Sequence, residues 1–363
     1  MSSIKNKIHN KRIRNLQKCL SIEKVEGILI TNLTNIKYLT GFESSSAQLI
    51  ISEKGGTLIT DFRYIEAARK NVSNLEIYQF GKKPKEEFRH LLTKYGIKRL
   101  GFESSNVTFN KYRQLANWIG EKRLFPRLNI VEKLRMLKDD AEIAIIRQSV
   151  RLSEKGFRHL KKIIEKGVTE KEIALELELF FKLNGADSNA FDIIVAFGEN
   201  SAVPHHHTGK KKLSLNDILL IDFGAKLKGY SSDLTRTFIS HRMTDKEKTV
   251  YSIVLEAQQK AIEKIRPGVS LAEIDKTARN VITKYGFGDA FGHSFGHGIG
   301  LDIHELPVVS LKSEFICKKG MVITAEPGIY LPGWGGVRIE DDVLVTDKGY
   351  EVLSTLGKKV QPW

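Results

Sequence analysis

The chain has 363 residues, 41% hydrophobic and 28% charged, a composition typical of a globular protein large enough for two domains. No apolar run approaches eighteen residues and the basic N-terminus lacks an apolar signal region, which excludes a membrane span and a secretory signal. The formal net charge of +15 comes mainly from lysines spread along the chain without interleaved aromatic residues, so a solvated surface is favoured over a nucleic-acid interface.

The first 130 residues alternate apolar strand-like runs with helical patterns, which predicts an α/β domain. Apolar residues recur at helical spacing from Ile4 to Leu20, so we favour an opening helix over a phosphate-binding arm. The predicted strands are EGILITN, the hairpin AQLIISEKGGTLITD, LEIYQF and KRLGFES, and the predicted helices are RYIEAARKN, residues 84–95 and residues 109–121. No cluster of acids and histidines in this part predicts chemistry.

The pattern changes near residues 130–138, where a charged amphipathic helix is predicted to run to about Lys166. We therefore expect two domains, residues 1–132 and 133–363. The only cysteines, Cys19 and Cys317, lie far apart in sequence, which predicts a reduced, cytoplasmic protein without disulfides.

The second domain contains an internal repeat. The segments IIEKGVTEKEIALELE and IEKIRPGVSLAEIDKTA each show a helix end, a Gly-Val turn and a capping box. The predicted boxes join Thr169 to Glu172 and Ser270 to Glu273. The repeat predicts two half-domains of similar construction, at about residues 139–240 and 241–355, that pack around a shared sheet.

The first half carries two aspartates in apolar surroundings. DILLIDFGAKLKGYSSDLTRTFI predicts two strands around a turn at residues 226–229. Asp222 ends the first strand and Asp233 lies on the return strand, so a hairpin centred on residues 227 and 228 places them opposite each other. Two buried like charges are destabilising unless a cation compensates them.

The second half repeats this arrangement. GMVITAEPGIYL places Glu326 near the end of an apolar strand, and GGVRIEDDVLVT places Glu340 in another, with Arg338 on the same face. Four carboxylates are too many for one metal with an open position, but they match two divalent ions about 3.5–4 Å apart. The alternative is four unrelated surface acids, which requires the apolar context of each to be accidental.

The run GHSFGHGIGLDIHE contains His293, His297 and His304. Its four glycines cost a helix roughly 3–4 kcal/mol, so we predict extended or looped chain with glycines where the backbone passes close to another group. Incidental histidines in a glycine-rich loop are the alternative. If the acids and this run meet, oxygen ligands with a single imidazole favour Mn²⁺, Co²⁺, Fe²⁺ or Zn²⁺.

The order Asp222, Asp233, His297, Glu326 and Glu340, within IDFG, SSDLTRT, GHGIGLDIHE, AEPGIY and VRIEDD, resembles metallopeptidase family M24, in its Xaa-Pro dipeptidase (prolidase) and aminopeptidase P branch. The resemblance covers essentially the whole chain. It implies a creatinase/prolidase-like α/β N-terminal domain, an α+β C-terminal pita-bread (creatinase/aminopeptidase) domain with pseudo-twofold halves, and a homodimer.

The resemblance also implies two divalent ions per subunit, with Mn²⁺ the first choice. Asp222 is expected to hold one ion, Asp233 and Glu340 to bridge both, and His297 and Glu326 to hold the other. Glu326 is further expected to act as general base and acid for the hydroxide that attacks the scissile carbonyl.

The remaining catalytic and substrate-binding residues also follow from the resemblance. His293 and His304 are expected to hydrogen-bond the substrate or the developing oxyanion without touching metal. In VPHHHTG, the family spacing selects His205 as the third substrate histidine, and residues 206–207 are expected to be plain exposed loop or a surface that scavenges metal. Arg338 matches a family arginine that interacts with the site carboxylates.

The implied function is hydrolysis of the bond between an N-terminal residue and a following proline, by an aminopeptidase or a dipeptidase. The substrate is then a peptide with proline at its second position, and neither membrane nor nucleic acid is an expected partner. The alternative is a catalytically inactive pita-bread protein that binds peptide or nucleic acid. The intact set of five ligand positions argues against that alternative.

Overall fold

The computed structural model describes residues 2–160 and 162–363, and the chain forms two compact units, Met1–Arg135 and Met136–Trp363. The division falls three residues after the predicted end of the first domain at residue 132.

Unit 1 is built on one mixed sheet, in the order β4-β3-β2-β1-β5-β6. Its helices are α1 (Ser2–Ile22), α2 (Leu33–Thr40), α3 (Ile65–Asn71), α4 (Pro84–Lys94), α5 (Phe109–Ile119) and α6 (Glu132–Arg135). Its strands are β1 (Gly27–Ile30), β2 (Ala47–Ser52), β3 (Gly55–Thr60), β4 (Glu76–Tyr78), β5 (Leu100–Glu103) and β6 (Leu124–Arg127). β1, β2 and β3 pair antiparallel, whereas β4, β5 and β6 join the sheet in parallel.

The predicted α/β domain and its opening helix are confirmed. Ile13, Leu16 and Leu20 of α1 are buried, as their helical spacing predicts. The sequence did not indicate α2, an eight-residue helix that begins where the Asn32 side chain accepts hydrogen bonds from two backbone amides.

Unit 2 consists of helix pairs and short strands. Its helices are α7 (Asp140–Leu160), α8 (Glu170–Leu183), α9 (Asp245–Ile262) and α10 (Leu271–Lys284). Its strands are β7 (Ser188–Asn189), β8 (Ile194–Phe197), β9 (Leu219–Phe223), β10 (Ala225–Leu227), β11 (Tyr230–Ser231), β12 (Leu234–Phe238), β13 (Gly296–Gly298), β14 (Glu305–Val309), β15 (Val322–Ala325), β16 (Gly328–Leu331), β17 (Gly335–Arg338), β18 (Asp341–Val345) and β19 (Tyr350–Val352).

The two predicted halves have the same order of elements. In each half a pair of helices, first α7 with α8 and then α9 with α10, precedes a set of antiparallel strands. The strand orders are β12-β9-β8 and β11-β10-β7 in the first half, and β14-β13-β15-β18-β19 and β16-β17 in the second. The strands that carry the predicted acids are buried, so the acids enter the interior of this unit.

Two local predictions about helices are wrong. The helix expected to run from the domain boundary to Lys166 starts only at Asp140 and ends at Leu160. It begins there because Glu142 N donates to Asp139 Oδ1 at 3.0 Å and Asp139 N donates to Glu142 Oε2 at 2.9 Å, a reciprocal cap that a continuous charged pattern hides.

Of the two predicted capping boxes, only the one between Thr169 and Glu172 is present. The Ser270 side chain instead accepts from the amide of Ala272 at 3.2 Å. The second half does contain a capping box, formed by Thr244 and Glu247 at the start of α9.

The hairpin that carries the two aspartates has a different register from the predicted one. Its two-residue turn is Lys228 and Gly229, both with positive φ (51° and 84°), so Leu227 pairs with Tyr230. Along the same register, Asp222 pairs with Thr235 rather than with Asp233. Asp233 lies two residues before Thr235, so the two aspartates are diagonal neighbours and not directly opposite.

Candidate metal centre

Acids from both halves meet at one histidine. The ligand atoms of Asp233, His297 and Glu340 all lie within 4.8 Å of one another. His297 Nε2 is 3.3 Å from Glu326 Oε1 and 3.6 Å from Asp233 Oδ2. The packing of the two halves of unit 2 thus brings together residues that are far apart in sequence.

Each ligand position is set by a strand or its end. Asp222 lies in β9, Asp233 directly precedes β12, Glu326 directly follows β15, and Glu340 directly precedes β18. His297 is the central residue of β13, which confirms the extended conformation predicted for the histidine run.

The glycines beside His297 lie, as predicted, where the backbone passes close to other groups. A Cβ at Gly296 would lie 2.1 Å from the Thr324 carbonyl oxygen, and one at Gly298 would lie 2.2 Å from the Leu306 carbonyl oxygen. Only glycine therefore lets β13 fit between its two neighbouring strands.

The cluster is deeply buried, and its charges repel. Asp222, Asp233 and Glu340 are at most 9% exposed. Burial, then Glu340 and Asp222, raise the pKa of Asp233 well above its ordinary value, and burial, then Glu326 and Asp222, do the same for the pKa of Glu340. Burial raises the pKa of Glu326 to about 7 and lowers that of His297 to about 3. Buried groups of like charge this close together are ionised at the same time only when a cation compensates them.

The donors fit a divalent metal. Asp222 Oδ1 is buried and has no hydrogen-bond partner among the described residues, so it keeps free lone pairs. Four carboxylates and a neutral imidazole form the oxygen-rich donor set that Mn²⁺, Fe²⁺, Co²⁺ and Zn²⁺ accept. The cluster therefore suits hard divalent ions and offers them no thiolate.

Arg338 supplies one positive charge to the cluster. Its Nη2 donates to Asp222 Oδ2 at 2.7 Å, its Nε to Thr235 Oγ1 at 3.1 Å and its Nη1 to Tyr330 Oη at 3.0 Å. Thr235 Oγ1 in turn donates to Glu340 Oε2 at 2.6 Å. The predicted contact of Arg338 with a site carboxylate is thus made with Asp222.

Arg338→Met is expected to lower the free energy of unfolding of the metal-free protein by about 3–5 kcal/mol, because Asp222 loses its buried partner. Urea unfolding of the chelator-treated protein measures this change. Arg242→Met, at an exposed arginine, is the matched control. A loss below ~1 kcal/mol, the scale of an exposed ion pair, would contradict the proposed compensation.

His293 has protein partners on both ring nitrogens. Nδ1 lies 2.9 Å from the Ser294 carbonyl oxygen, so it carries the proton and donates. Nε2 therefore accepts from the Tyr330 hydroxyl at 2.9 Å. The predicted hydrogen bond between His293 and a substrate would therefore have to replace the one between His293 Nε2 and the Tyr330 hydroxyl.

All nine predicted site residues line one pocket of about 490 Å³: His205, Asp222, Asp233, His293, His297, His304, Glu326, Arg338 and Glu340. The ring of His304 packs against that of His297 with centroids 4.3 Å apart. Phe191, Ile194, Ile303 and Val308 add an apolar wall. The pocket thus joins the carboxylate cluster to an apolar surface.

Three side chains that hold site residues in place were not predicted. Thr324 Oγ1 donates to Glu326 Oε1 at 3.0 Å and accepts from His297 N at 3.0 Å. Asp342, the last residue of VRIEDD, accepts from the amide of Asp233 at 3.0 Å. Tyr330 lies in the quoted motif AEPGIY, but nothing in its spacing indicates a partner 37 residues away.

The expectation for residues 206–207 is wrong for one of them. His207 is exposed, but the His206 side chain is largely buried, and its Nε2 lies 3.0 Å from Glu170 Oε2. His206 is therefore a structural partner of Glu170 rather than a plain loop residue.

Comparison with known proteins identifies both units. Residues 144–347 match the model of metallopeptidase family M24, and residues 12–137 match the creatinase/prolidase N-terminal domain. A protein named Xaa-Pro dipeptidase from Pyrococcus horikoshii is 36% identical over 97% of this chain and 99% of its own length.

Solved structures of similar proteins show the same relationship. The Xaa-Pro dipeptidase from Bacillus anthracis is 40% identical with a TM-score of 0.94, covering 98% of this chain and 100% of its own. The X-Pro aminopeptidase from Thermotoga maritima is 36% identical with a TM-score of 0.85, covering 94% and 98%. The predicted α/β domain followed by a pita-bread domain is confirmed. No helix in residues 2–160 or 162–363 is long and apolar enough to cross a membrane.

Proposed function

We propose that this chain, which belongs to metallopeptidase family M24, hydrolyses the bond between an N-terminal residue and a following proline. The observation that carries the proposal is the buried cluster of four carboxylates and His297, open to a pocket with an apolar wall. The names of the relatives, Xaa-Pro dipeptidase and X-Pro aminopeptidase, support the same bond specificity.

The cluster is proposed to hold two divalent ions, with Mn²⁺ as the first choice and Co²⁺, Zn²⁺ or Fe²⁺ as alternatives. Asp222 is assigned to one ion, Asp233 and Glu340 to both, and His297 and Glu326 to the other. When bound, such ions provide an activated water at neutral pH and stabilise negative charge on the carbonyl oxygen. The carboxylates supply the negative charge that retains them.

Glu326 is proposed to move the proton. Its carboxylate lines the pocket, and the Thr324 hydroxyl fixes its orientation. It can accept a proton from the attacking water and pass it to the nitrogen that leaves with proline. The proton is needed because the nitrogen would otherwise leave as an unstable amide anion; with it, proline departs as a secondary amine.

The pocket residues around the cluster are proposed to hold the substrate. His205 and His304 line the pocket beside the cluster and present imidazole groups for hydrogen bonds to the peptide. Phe191, Ile194 and Val308 offer the apolar surface that a proline ring prefers. We further propose that the protein acts in the cytoplasm as a homodimer.

Turnover of Ala-Pro, Ala-Pro-Ala and Ala-Ala-Ala by the Mn²⁺-loaded protein tests the proposal and separates dipeptidase from aminopeptidase. We expect release of alanine from at least one proline peptide, at a rate at least about a hundredfold above that of Ala-Ala-Ala. Chromatography of the products measures it. Turnover of neither proline peptide, with bound metal verified on the same sample, would reject the function.

A further inference from the structure

The three consecutive histidines of VPHHHTG have three different environments. His205 lines the substrate pocket, His206 contacts Glu170, and His207 is exposed. No hydrogen bond of the His205 side chain is seen among the described residues, and this residue is itself exposed. The backbone on either side of His205 must therefore set its position.

One buried carboxylate holds both ends of the segment that carries His205. Glu170, the first residue of α8, is fully buried. Its Oε1 accepts from Phe197 N at 2.9 Å and from Asn200 Nδ2 at 2.8 Å, both before His205. Its Oε2 accepts from His206 Nε2 at 3.0 Å and from Gly209 N at 2.9 Å, both after it.

These four hydrogen bonds outweigh the cost of burying the charge. Burial alone raises the pKa of Glu170, but the hydrogen bonds from His206, Asn200 and the two amides bring it below its ordinary value, so the group is ionised. A buried, ionised and fully paired carboxylate has one preferred geometry. The loop end next to His205 is therefore fixed to the first residue of α8.

The other side-chain contacts in this region hold the stems of the loop. Thr208 Oγ1 donates to the Ile193 carbonyl and accepts from Val195 N, and Lys171 N donates to the Gly209 carbonyl. At its tip, one backbone hydrogen bond, from His206 N to the Val203 carbonyl oxygen at 3.1 Å, closes a turn over Pro204 and His205. Among side chains of the described loop, only that of His206 reaches from the residue adjoining His205 to a buried anchor.

We infer that Glu170 and His206 are positioning residues, which hold His205 at the substrate pocket through the His206–Glu170 hydrogen bond. Neither residue lines the pocket, so neither touches the substrate. The inference rests on the proposed function, because His205 is assigned to substrate binding only there. Removal of the His206 hydrogen-bond donor should therefore lower activity only by displacing His205.

A double-mutant cycle between positions 205 and 206 tests this inference. We expect His206→Phe to lower kcat/KM on the best Xaa-Pro peptide about tenfold, the effect of one hydrogen bond to a charged group. His205→Ala should lower it at least as much, and the double variant should be no worse than His205→Ala alone. His207→Phe, the same change at the exposed neighbour, should have no effect.

Two further measurements separate positioning from general damage. His206→Gln keeps a donor of similar reach and should retain most of the activity. Hydrogen exchange of the amides of residues 203 and 205–209, measured in metal-free protein, should be faster in His206→Phe than in wild type and unchanged in His207→Phe.

The outcomes distinguish the two proposals. Independent, multiplicative losses in the cycle, or unchanged exchange in His206→Phe, would overturn the positioning role while wild-type turnover stands. A loss in His206→Gln equal to that in His206→Phe would also overturn it. If the wild-type protein cleaves no Xaa-Pro peptide, the proposed function fails, and the exchange comparison still decides whether His206 tethers the loop.

Discussion

Glu326→Gln is expected to lower kcat on an Xaa-Pro peptide by about 10³-fold, within the range for loss of general acid–base catalysis. The amide keeps the shape of the side chain and one oxygen, but it cannot accept a proton from water or return it to the leaving nitrogen. Thr324 Oγ1, which donates to Glu326 Oε1 at 3.0 Å, can keep the side chain in place. Steady-state kinetics at saturating Mn²⁺ measures the loss.

Glu314→Gln, the same change at an exposed glutamate of unit 2, is the control and should leave kcat unaltered. Metal content is measured on both variants, because Glu326 is assigned to an ion as well as to the proton. Loss of activity with the metal retained supports the proton role, and loss of both supports the ligand role. A Glu326→Gln variant with more than about a tenth of wild-type kcat would exclude a general base at this position.

Three of the proposed ligand positions could be predicted from the residues alone because Asp222, Glu326 and Glu340 lie in or directly beside apolar strands, whereas His297 was selected from its run by the family resemblance. β9, β15 and β18 are buried along their whole length, and an ionisable group at the end of such a strand demands a partner. Residue type and strand periodicity alone therefore indicate Asp222, Glu326 and Glu340 as one set of candidate ligands.

Register and long-range side-chain contacts were not accessible. The Lys228-Gly229 turn with two positive φ values moves the pairing partner of Asp222 from the predicted Asp233 to Thr235. A shift of two residues keeps every side chain on its face, so the hydrophobic pattern cannot reveal it.

The contact between His206 and Glu170 escaped for a different reason. The two residues are 36 positions apart, and the middle one of three consecutive histidines has no spacing that indicates a buried partner. Glu170 stands at the first position of α8, where a glutamate is ordinary for electrostatic reasons alone. The role of Glu170 is seen only in the structure, where the loop packs against the start of α8.

Removal of metal is expected to lower the Tm of the protein by about 5–10 °C. One ion at a free concentration of 100 times its Kd contributes about 2.7 kcal/mol, and the Tm of a unit of this size shifts by about 2–4 °C per kcal/mol, so the loss of one ion already gives this change. Differential scanning calorimetry before and after treatment with a chelator measures the change, and re-addition of Mn²⁺ should restore the Tm. An unchanged Tm in protein shown to have lost its metal would contradict the assignment of the cluster.

The effect of pH on stability through Glu326 should be largest in the metal-free form. The pKa of Glu326 is raised to about 7, above its unfolded value of 4.5, so the folded state binds this proton more tightly than the unfolded state does. Its stabilising contribution is complete below pH 4.5 and is lost as the pH rises to about 7. The Tm of the metal-free protein should therefore fall between pH 5 and about 8, whereas Mn²⁺ should oppose this fall.

Asp233→Asn should change the Tm in opposite directions in the two forms. In metal-free protein it replaces a carboxyl group, whose ionised form is disfavoured by burial and by Glu340 and Asp222, with a neutral amide, and should raise the Tm by about 2–4 °C, equivalent to ~1 kcal/mol. In Mn²⁺-loaded protein it removes a proposed bridging ligand and should lower the Tm. Asp192→Asn, at an exposed carboxylate on the pocket rim, should change neither value. A variant less stable than wild type in both forms would show that Asp233 acts as a packing residue and not as a ligand.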